Sequence, residues 1–456
     1  MFARRDIVAV LLLFNVFCVL MKNVNCETDG CFCKLKGEID DCGCTVESVD
    51  HFNNFKIYPR INSLLQKDFF KYFKVNLKRT CPFWPDDSRC SLRDCHVEQC
   101  TEVPANIKGF SEKKRKHEKN KYSEEAQKEE KDEDCDHELG NLDKTISVEG
   151  QKQFKTWQKH DDAQNYFCEL DDEKSTDSDY VDLLRNPERY TGYVGNSPQR
   201  IWHSIYEENC FKPTPGYGYH AGKNTPIEGL CLEQRVFYRL ISGLHTSINI
   251  HLCANYLLGK NAYGVQTWGL NVPEFMRRFD PKLTAGEGPQ RLKNLYFTYL
   301  VELRALMKAS LYLEKELYYT GSDAVDQDTK IAVKEFLDNV KTFNEHFDEG
   351  QLFKGDTKEA LKLKTEFRDH FYNITRIMDC VGCDKCKLWG KLQVTGMGTA
   401  LKILFSSTEG SMVQPNDTKF QLTRPEIVAL FNGFGRLATS IKELELFRKK
   451  IAKINR

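Results

Sequence analysis

A mainly α-helical single domain is what this sequence predicts, and three observations predict it. From about residue 226 onward, apolar residues recur with the period of about 3.6 that marks a helix facing a core. Strand-like alternation is scarce, and no internal repeat is visible. Beyond the N-terminus, no stretch offers the roughly 20 apolar residues that a membrane span needs.

Met1 to about Cys26 has the form of a secretory signal: Arg4 and Arg5, then an apolar run from Ile7 to Leu20, then Val24 and Cys26 near a cleavage position. A retained anchor is the competing reading, but Asp6 and Asn15 interrupt the run. Residues 27–456 then form one domain. Residues 27–105 are a cysteine-rich segment, and residues 106–140 a mobile charged loop. Within that loop, 111–134 is nearly pure charge and too poor in apolar residues to order itself, a solvated charged helix being the alternative. Residues 180–456 are the helical body. One helix carries Leu292, Leu295, Tyr296, Tyr299, Leu303 and Leu306 on a face, between Pro289 and Gly321. Ile331, Phe336, Leu337, Val340 and Phe343 repeat the pattern, as do Leu361, Phe367 and Phe371. Thr423-Arg-Pro-Glu426 opens a last helix with a capping box and a first-turn proline.

Composition bounds the function. The 66 basic and 66 acidic residues cancel, so nucleic acid and anionic lipid are not general partners. Sixteen of the 18 cysteines lie beyond the signal, an even number that points to an oxidising compartment and a disulfide framework. A chain of 456 residues can bury a core unaided, so this many cysteines suggests chemistry as well as bracing. Asn373 and Asn416 head glycosylation tripeptides. Gly433-Phe-Gly435-Arg-Leu-Ala438 matches the loosest dinucleotide fingerprint but follows a helical pattern rather than a strand, so a Rossmann site is rejected.

The cysteines fall into four sets. Cys31, Cys33, Cys42 and Cys44 suit two nested bridges closing a finger. Zinc held by four cysteines is the rival, disfavoured by the oxidising compartment, and no metal is expected. Cys95 has a partner at equal distance on either side, Cys90 and Cys100, so exchange between pairings costs little and a switch is possible; a plain structural bridge is the bland alternative. In Cys380-Val-Gly-Cys383-Asp-Lys-Cys386 the fourth ligand of an iron–sulfur run is missing, which leaves Cys383–Cys386 as a redox pair and Cys380 as the partner of something distant. Spacing does not pair Cys135, Cys168, Cys210, Cys231 and Cys253. Two labile pairs suggest a relay, and net disulfide formation then needs a cofactor to remove electrons.

Cys90-x4-Cys95-x4-Cys100, Arg189-Tyr-Thr-Gly-Tyr193, Ser242-Gly-Leu-His245, Arg291-Leu-Lys-Asn-Leu295 and Cys380-x2-Cys-x2-Cys386, in this order, closely resemble the endoplasmic reticulum oxidoreductins over nearly the whole mature chain. The resemblance implies a non-Rossmann helix bundle holding FAD, with contacts from Arg189, Thr191, Trp202, Ser242, His245, Arg291 and Arg304. It implies a shuttle bridge Cys90–Cys95 that oxidises protein disulfide isomerase and its relatives, and an inner bridge Cys383–Cys386 beside the flavin. Molecular oxygen would be the final acceptor and hydrogen peroxide the product. It further implies regulatory pairings Cys90–Cys135 and Cys95–Cys100, and structural bridges Cys31–Cys44, Cys33–Cys42, Cys81–Cys380 and Cys210–Cys231. Cys168 and Cys253 are left without partners. The expected setting is the lumen of the endoplasmic reticulum, as a monomer peripherally associated with the membrane; the chain ends Lys-Ile-Asn-Arg, without a retention tetrapeptide. A disulfide-braced binding protein without catalysis is the competing class, and it leaves the two C-x(n)-C pairs unexplained.

Overall fold

Thr45 caps the first helix of the described residues. Its hydroxyl accepts from Ser48 N (3.2 Å) while Ser48 Oγ accepts from Thr45 N (3.3 Å), a reciprocal cap on helix α1, Val46–Phe52. A π-turn, Asn53–Ile57, leads into α2 (Tyr58–Leu64), then α3 (Asp68–Lys71) and strand β1 (Tyr72–Val75). In this computed structural model the described residues are 35, 39, 44–84, 94–101, 177–211, 227–343, 347–354, 357–406, 413 and 420–454. The expected signal, the charged loop, Cys31, Cys33, Cys42, Cys90, Cys135, Cys168 and Asn416 lie outside them.

Strand β1 pairs antiparallel with β2 (Asp179–Asp182), Tyr72 opposite Asp182, so that the front of the chain is hydrogen-bonded to the start of the body. The body continues through α4 (Asn196–His203), α5 (Leu232–Ala254), a hairpin of β3 (Tyr256–Lys260) and β4 (Gln266–Gly269), α6 (Val272–Phe279), α7 (Glu287–Lys308), α8 (Ser310–Lys315), α9 (Asp323–Val340), α10 (Thr357–Ile377), α11 (Asp384–Leu404) and α12 (Arg424–Ile454). The mainly α class is therefore observed, with two small two-stranded sheets added.

The core lies where α5 packs on α7 and α11 packs on α12, with α7 also touching α11 and α12. The whole predicted stripe of α7, Leu292 to Leu306, is buried there. A Cβ at Gly396 would come within 2.5 Å of Ala429 O, so glycine is what allows α11 and α12 to cross so closely. The capping box of α12 is present: Thr423 N donates to Glu426 Oε2 (2.6 Å) and Glu426 N to Thr423 Oγ1 (3.4 Å). The rejected fingerprint, 433–438, runs through the interior of that helix, where no tight turn could cradle a phosphate.

Three expectations are corrected. The helix begun near Pro289 stops at Lys308 rather than at Gly321, because the chain leaves helical geometry at Ala309 and restarts as α8. Ile331 and Leu361 are exposed. At 100° per residue they stand about 140° and about 120° round their helices from Phe336 and Phe367, off the buried stripes. Among the described residues, no helix is long and apolar enough to cross a membrane.

Candidate active site

The segment from Asn186 to Tyr193 is fastened across the N-terminal end of α11. Trp389 Nε1 donates to Asn186 O (2.7 Å), and Tyr193 Oη accepts from Gly382 N (3.1 Å). Arg436, buried in α12, lies 4.3 Å over the Trp389 ring and is ion-paired with Glu188; its burial lowers its pKa to about 9. The same segment holds the stretch that carries Cys95. Glu98 N donates to Asn186 Oδ1 (2.7 Å) and Asn186 Nδ2 returns a bond to Glu98 O (2.8 Å), one side-chain amide standing in for a strand neighbour. Cys100 N adds a bond to Tyr180 O (3.1 Å).

Thr191 sits where these pieces converge. Its carbonyl oxygen is 3.9 Å from Cys95 Sγ, and its hydroxyl is 3.4 Å from both Cys383 Sγ and Cys386 Sγ. Cys383 is the N-cap of α11, and its sulfur accepts from Cys386 N (3.3 Å). A thiolate at a helix N-terminus faces the positive end of the macrodipole and donors with no intrahelical partner. The Cys386 thiol and the Thr191 hydroxyl bring the Cys383 pKa below that of an ordinary thiol, against the opposing effect of burial. The hydrogen bond with Cys383 raises Cys386 well above it, and burial adds to the rise. Cys383 and Cys386 carry thiols here rather than the expected inner bridge, and the reduced pair holds its last proton on Cys386.

A cavity of about 470 Å³ opens beside the pair, and Cys386 lines it whereas Cys383 does not. The size falls within the usual range for a bound small molecule. Of the seven residues expected to hold a cofactor, Arg189, Thr191, Trp202 and His245 line the cavity. Trp202 and His245 stack face to face, centroids 3.4 Å apart, and Tyr206 Oη lies 3.1 Å from His245 Nδ1. The other three are not brought to the wall. Ser242 is buried and accepts from Asn294 Nδ2 (2.9 Å). Arg291 is ion-paired with Glu287 one turn earlier, and Arg304 is held by Glu349 in two bonds of 2.7 and 2.9 Å.

Several wall residues escaped the sequence reading. Gln393 lines the cavity, and its Oε1 is buried with no hydrogen-bond partner, an acceptor open to a ligand donor. It stands two turns after Cys386 and so shares its helix face, a signal the spacing already contained. Asn249, one turn after His245, was legible in the same way. Glu274, bound by Arg277 and Arg278, came from a helix given no role.

The remaining cysteines are placed as follows. Cys81 and Cys380 are joined (S–S 2.06 Å), tying the front of the chain to the turn before the inner pair. Cys95 is disulfide-bonded and Cys100 carries a thiol, so the Cys95–Cys100 lock is not the pairing present. Cys210 and Cys231 are not bridged either: Cys210 is buried beside Tyr206, while Cys231 is exposed at the N-cap of α5. Cys253 is buried, and burial pushes its thiol up to about 12. Asn373 is half-buried on α10, with Nδ2 donating to Asn209 Oδ1 (2.8 Å). Among the described residues, no cluster could hold a metal ion.

Residues 56–444 match the model of a family described as Endoplasmic Reticulum Oxidoreductin 1. The chain is 52% identical over 446 residues to ERO1-like protein alpha of Xenopus tropicalis, covering 93% of this chain and 92% of that protein. It is equally close to the human ERO1-like protein alpha over 445 residues, with 93% of each chain covered. The Ero1-like protein of Drosophila melanogaster is 52% identical over 439 residues, covering 92% of this chain and 90% of that protein. A solved structure of Ero1p, described as a source of disulfide bonds for oxidative protein folding in the cell, superposes with a TM-score of 0.57 at 28% identity, covering 90% of this chain and 98% of that one.

Proposed function

The chain belongs to the endoplasmic reticulum oxidoreductin 1 family, and from that premise we propose that it is a thiol oxidase which oxidises protein disulfide isomerase through a two-bridge relay ending at FAD. At the coarser level it is an oxidoreductase of the endoplasmic reticulum that acts on thiols to generate disulfides. The observation that carries the finer reading is Thr191, which brings Cys95 and the Cys383–Cys386 pair to one residue while Cys386 lines the cavity.

In the outer step a thiolate of the reduced isomerase attacks the Cys90–Cys95 bridge. The isomerase gains an S–S bond, and Cys90 and Cys95 receive its two electrons and two protons. In the inner step the Cys95 thiolate attacks Cys383. The Cys383–Cys386 bond breaks, a Cys95–Cys383 mixed disulfide forms, and Cys386 is released beside the cavity. Cys90 then attacks Cys95, which restores the shuttle bridge and expels Cys383. The lowered pKa of Cys383 makes it a good leaving group for that resolution.

The donor set suits a flavin. It offers stacked aromatic walls, a buried unpartnered acceptor at Gln393, and Arg189 whose guanidinium can fork onto phosphate oxygens. Bound there, FAD would supply a two-electron acceptor for the inner dithiol and pass the electrons to molecular oxygen as hydrogen peroxide. Arg189, Thr191, Trp202 and His245 are the residues proposed to hold it, and Lys385 with Gln393 would close the wall. Oxygen uptake by the purified protein given reduced isomerase, with peroxide and flavin absorbance recorded together, tests the reading. A yellow protein that consumes oxygen and makes an equal amount of peroxide is expected. A colourless protein, or one inert toward the isomerase, overturns it.

A further inference from the structure

Two residues flanking Cys95 meet the two residues enclosed by Cys383 and Cys386. Asp94 Oδ1 lies 2.5 Å from Lys385 Nζ, and His96 Nδ1 lies 3.6 Å from Asp384 Oδ2. Between them the Lys385 backbone N–H donates to Cys95 O (2.9 Å). That N–H belongs to the first turn of α11, where no intrahelical acceptor exists, so the Cys95 carbonyl completes the helix end. Arg189 stands on the other side of the Asp94 carboxylate, Nη1 to Oδ2 at 4.0 Å.

We propose that Asp94 and Lys385 form a latch that docks the shuttle segment on the inner pair, acting as positioning residues for the inner transfer. The inference rests on the relay reading above and adds what holds Cys95 in place for it. Exposure decides which contact matters. The Lys385 and Asp94 side chains are 7% and 19% exposed, so their attraction is little screened. The His96 and Asp384 side chains are 92% and 42% exposed, and an ion pair there adds little. The latch must also release, since the shuttle bridge serves a partner outside the molecule. One close charge pair with its backbone bond can open while the Glu98–Asn186 bonds keep the rest of the stretch in place. Lys385, inside the C-x-x-C, thus has a task of its own: it recognises the shuttle.

The test is anaerobic stopped-flow of flavin absorbance in the full-length protein, mixed with increasing concentrations of reduced isomerase. The plateau rate reports transfer inside the molecule, and the half-saturating concentration reports the outer encounter. Asp94→Lys and Lys385→Asp should each lower the plateau about tenfold, and the double exchange should recover most of that loss. A general loss of packing would not be restored by exchanging the charges. Asp94→Asn, which keeps size and removes charge, should lower the plateau less, and it decides the matter if the reversals lose their flavin. Unchanged plateaus in the single variants, a double variant as slow as the slower single, or a normal plateau in Asp94→Asn when the reversals lose flavin would each overturn the latch. A wild-type flavin that the isomerase does not reduce would instead overturn the relay.

Discussion

Replacing Thr191 by valine keeps the shape of the side chain and its backbone carbonyl and removes one hydroxyl, the one 3.4 Å from both inner sulfurs. A hydrogen bond to a charged acceptor is worth about 1.5–3 kcal/mol. Sharing between two sulfurs at this distance puts the loss at or just below the lower end, about 1.4 kcal/mol, a factor of about ten in an equilibrium constant. The Cys383 pKa is lowered in the folded protein partly by this contact, so Thr191→Val should raise it. The thiolate fraction near neutral pH would then fall up to about tenfold. The assay is alkylation of the reduced protein by iodoacetamide across a pH series, with the Cys383 peptide quantified by mass spectrometry. A midpoint that stays where it is, or moves down, refutes the role given to Thr191.

Glu302 is buried beside Gly433 with neither carboxylate oxygen partnered, and burial raises its pKa well above 4.5. The folded chain keeps a proton that the unfolded chain gives up, so the stability it confers is full below the unfolded value and declines by about 1.4 kcal/mol per pH unit above it. Glu302→Gln should therefore gain on wild type in urea unfolding as pH rises from about 5 to about 8, and parallel curves would contradict this. Cys81→Ala with Cys380→Ala opens a bridge spanning 299 residues and should cost up to about 6 kcal/mol in the loop-entropy view; a melting temperature unmoved by more than a degree or so would count against it. Cys253, its thiol pushed up to about 12 and its side chain buried, should resist iodoacetamide at pH 8 in the native protein and react only after denaturation.

Periodicity carried most of the architecture. The stripe Leu292–Leu306 and the Thr423–Glu426 box are one-dimensional patterns with one three-dimensional meaning, and both appear as read. Ile331 and Leu361 misled because hydrophobicity alone does not say which side of a helix has a neighbour. The cavity was partly legible. Arg189, Thr191, Trp202 and His245 converge from separate elements, and their family motifs marked them. Arg304 carries the same type of side chain, but Glu349, 45 residues away in sequence, turns it elsewhere. The meeting of Asp94 with Lys385 was invisible for the same reason. Their separation of 291 residues leaves no trace in local spacing, and only the folded path of residues 94–100 along β2 brings them together.

The bond between Cys81 and Cys380 has a bearing on how such a protein comes into being. It fastens the turn that precedes Cys383, yet it is the same kind of bond this oxidoreductase makes for others. A freshly synthesised copy must gain that cross-link before its own inner pair is anchored, so each molecule's competence depends on an oxidation that precedes its own work.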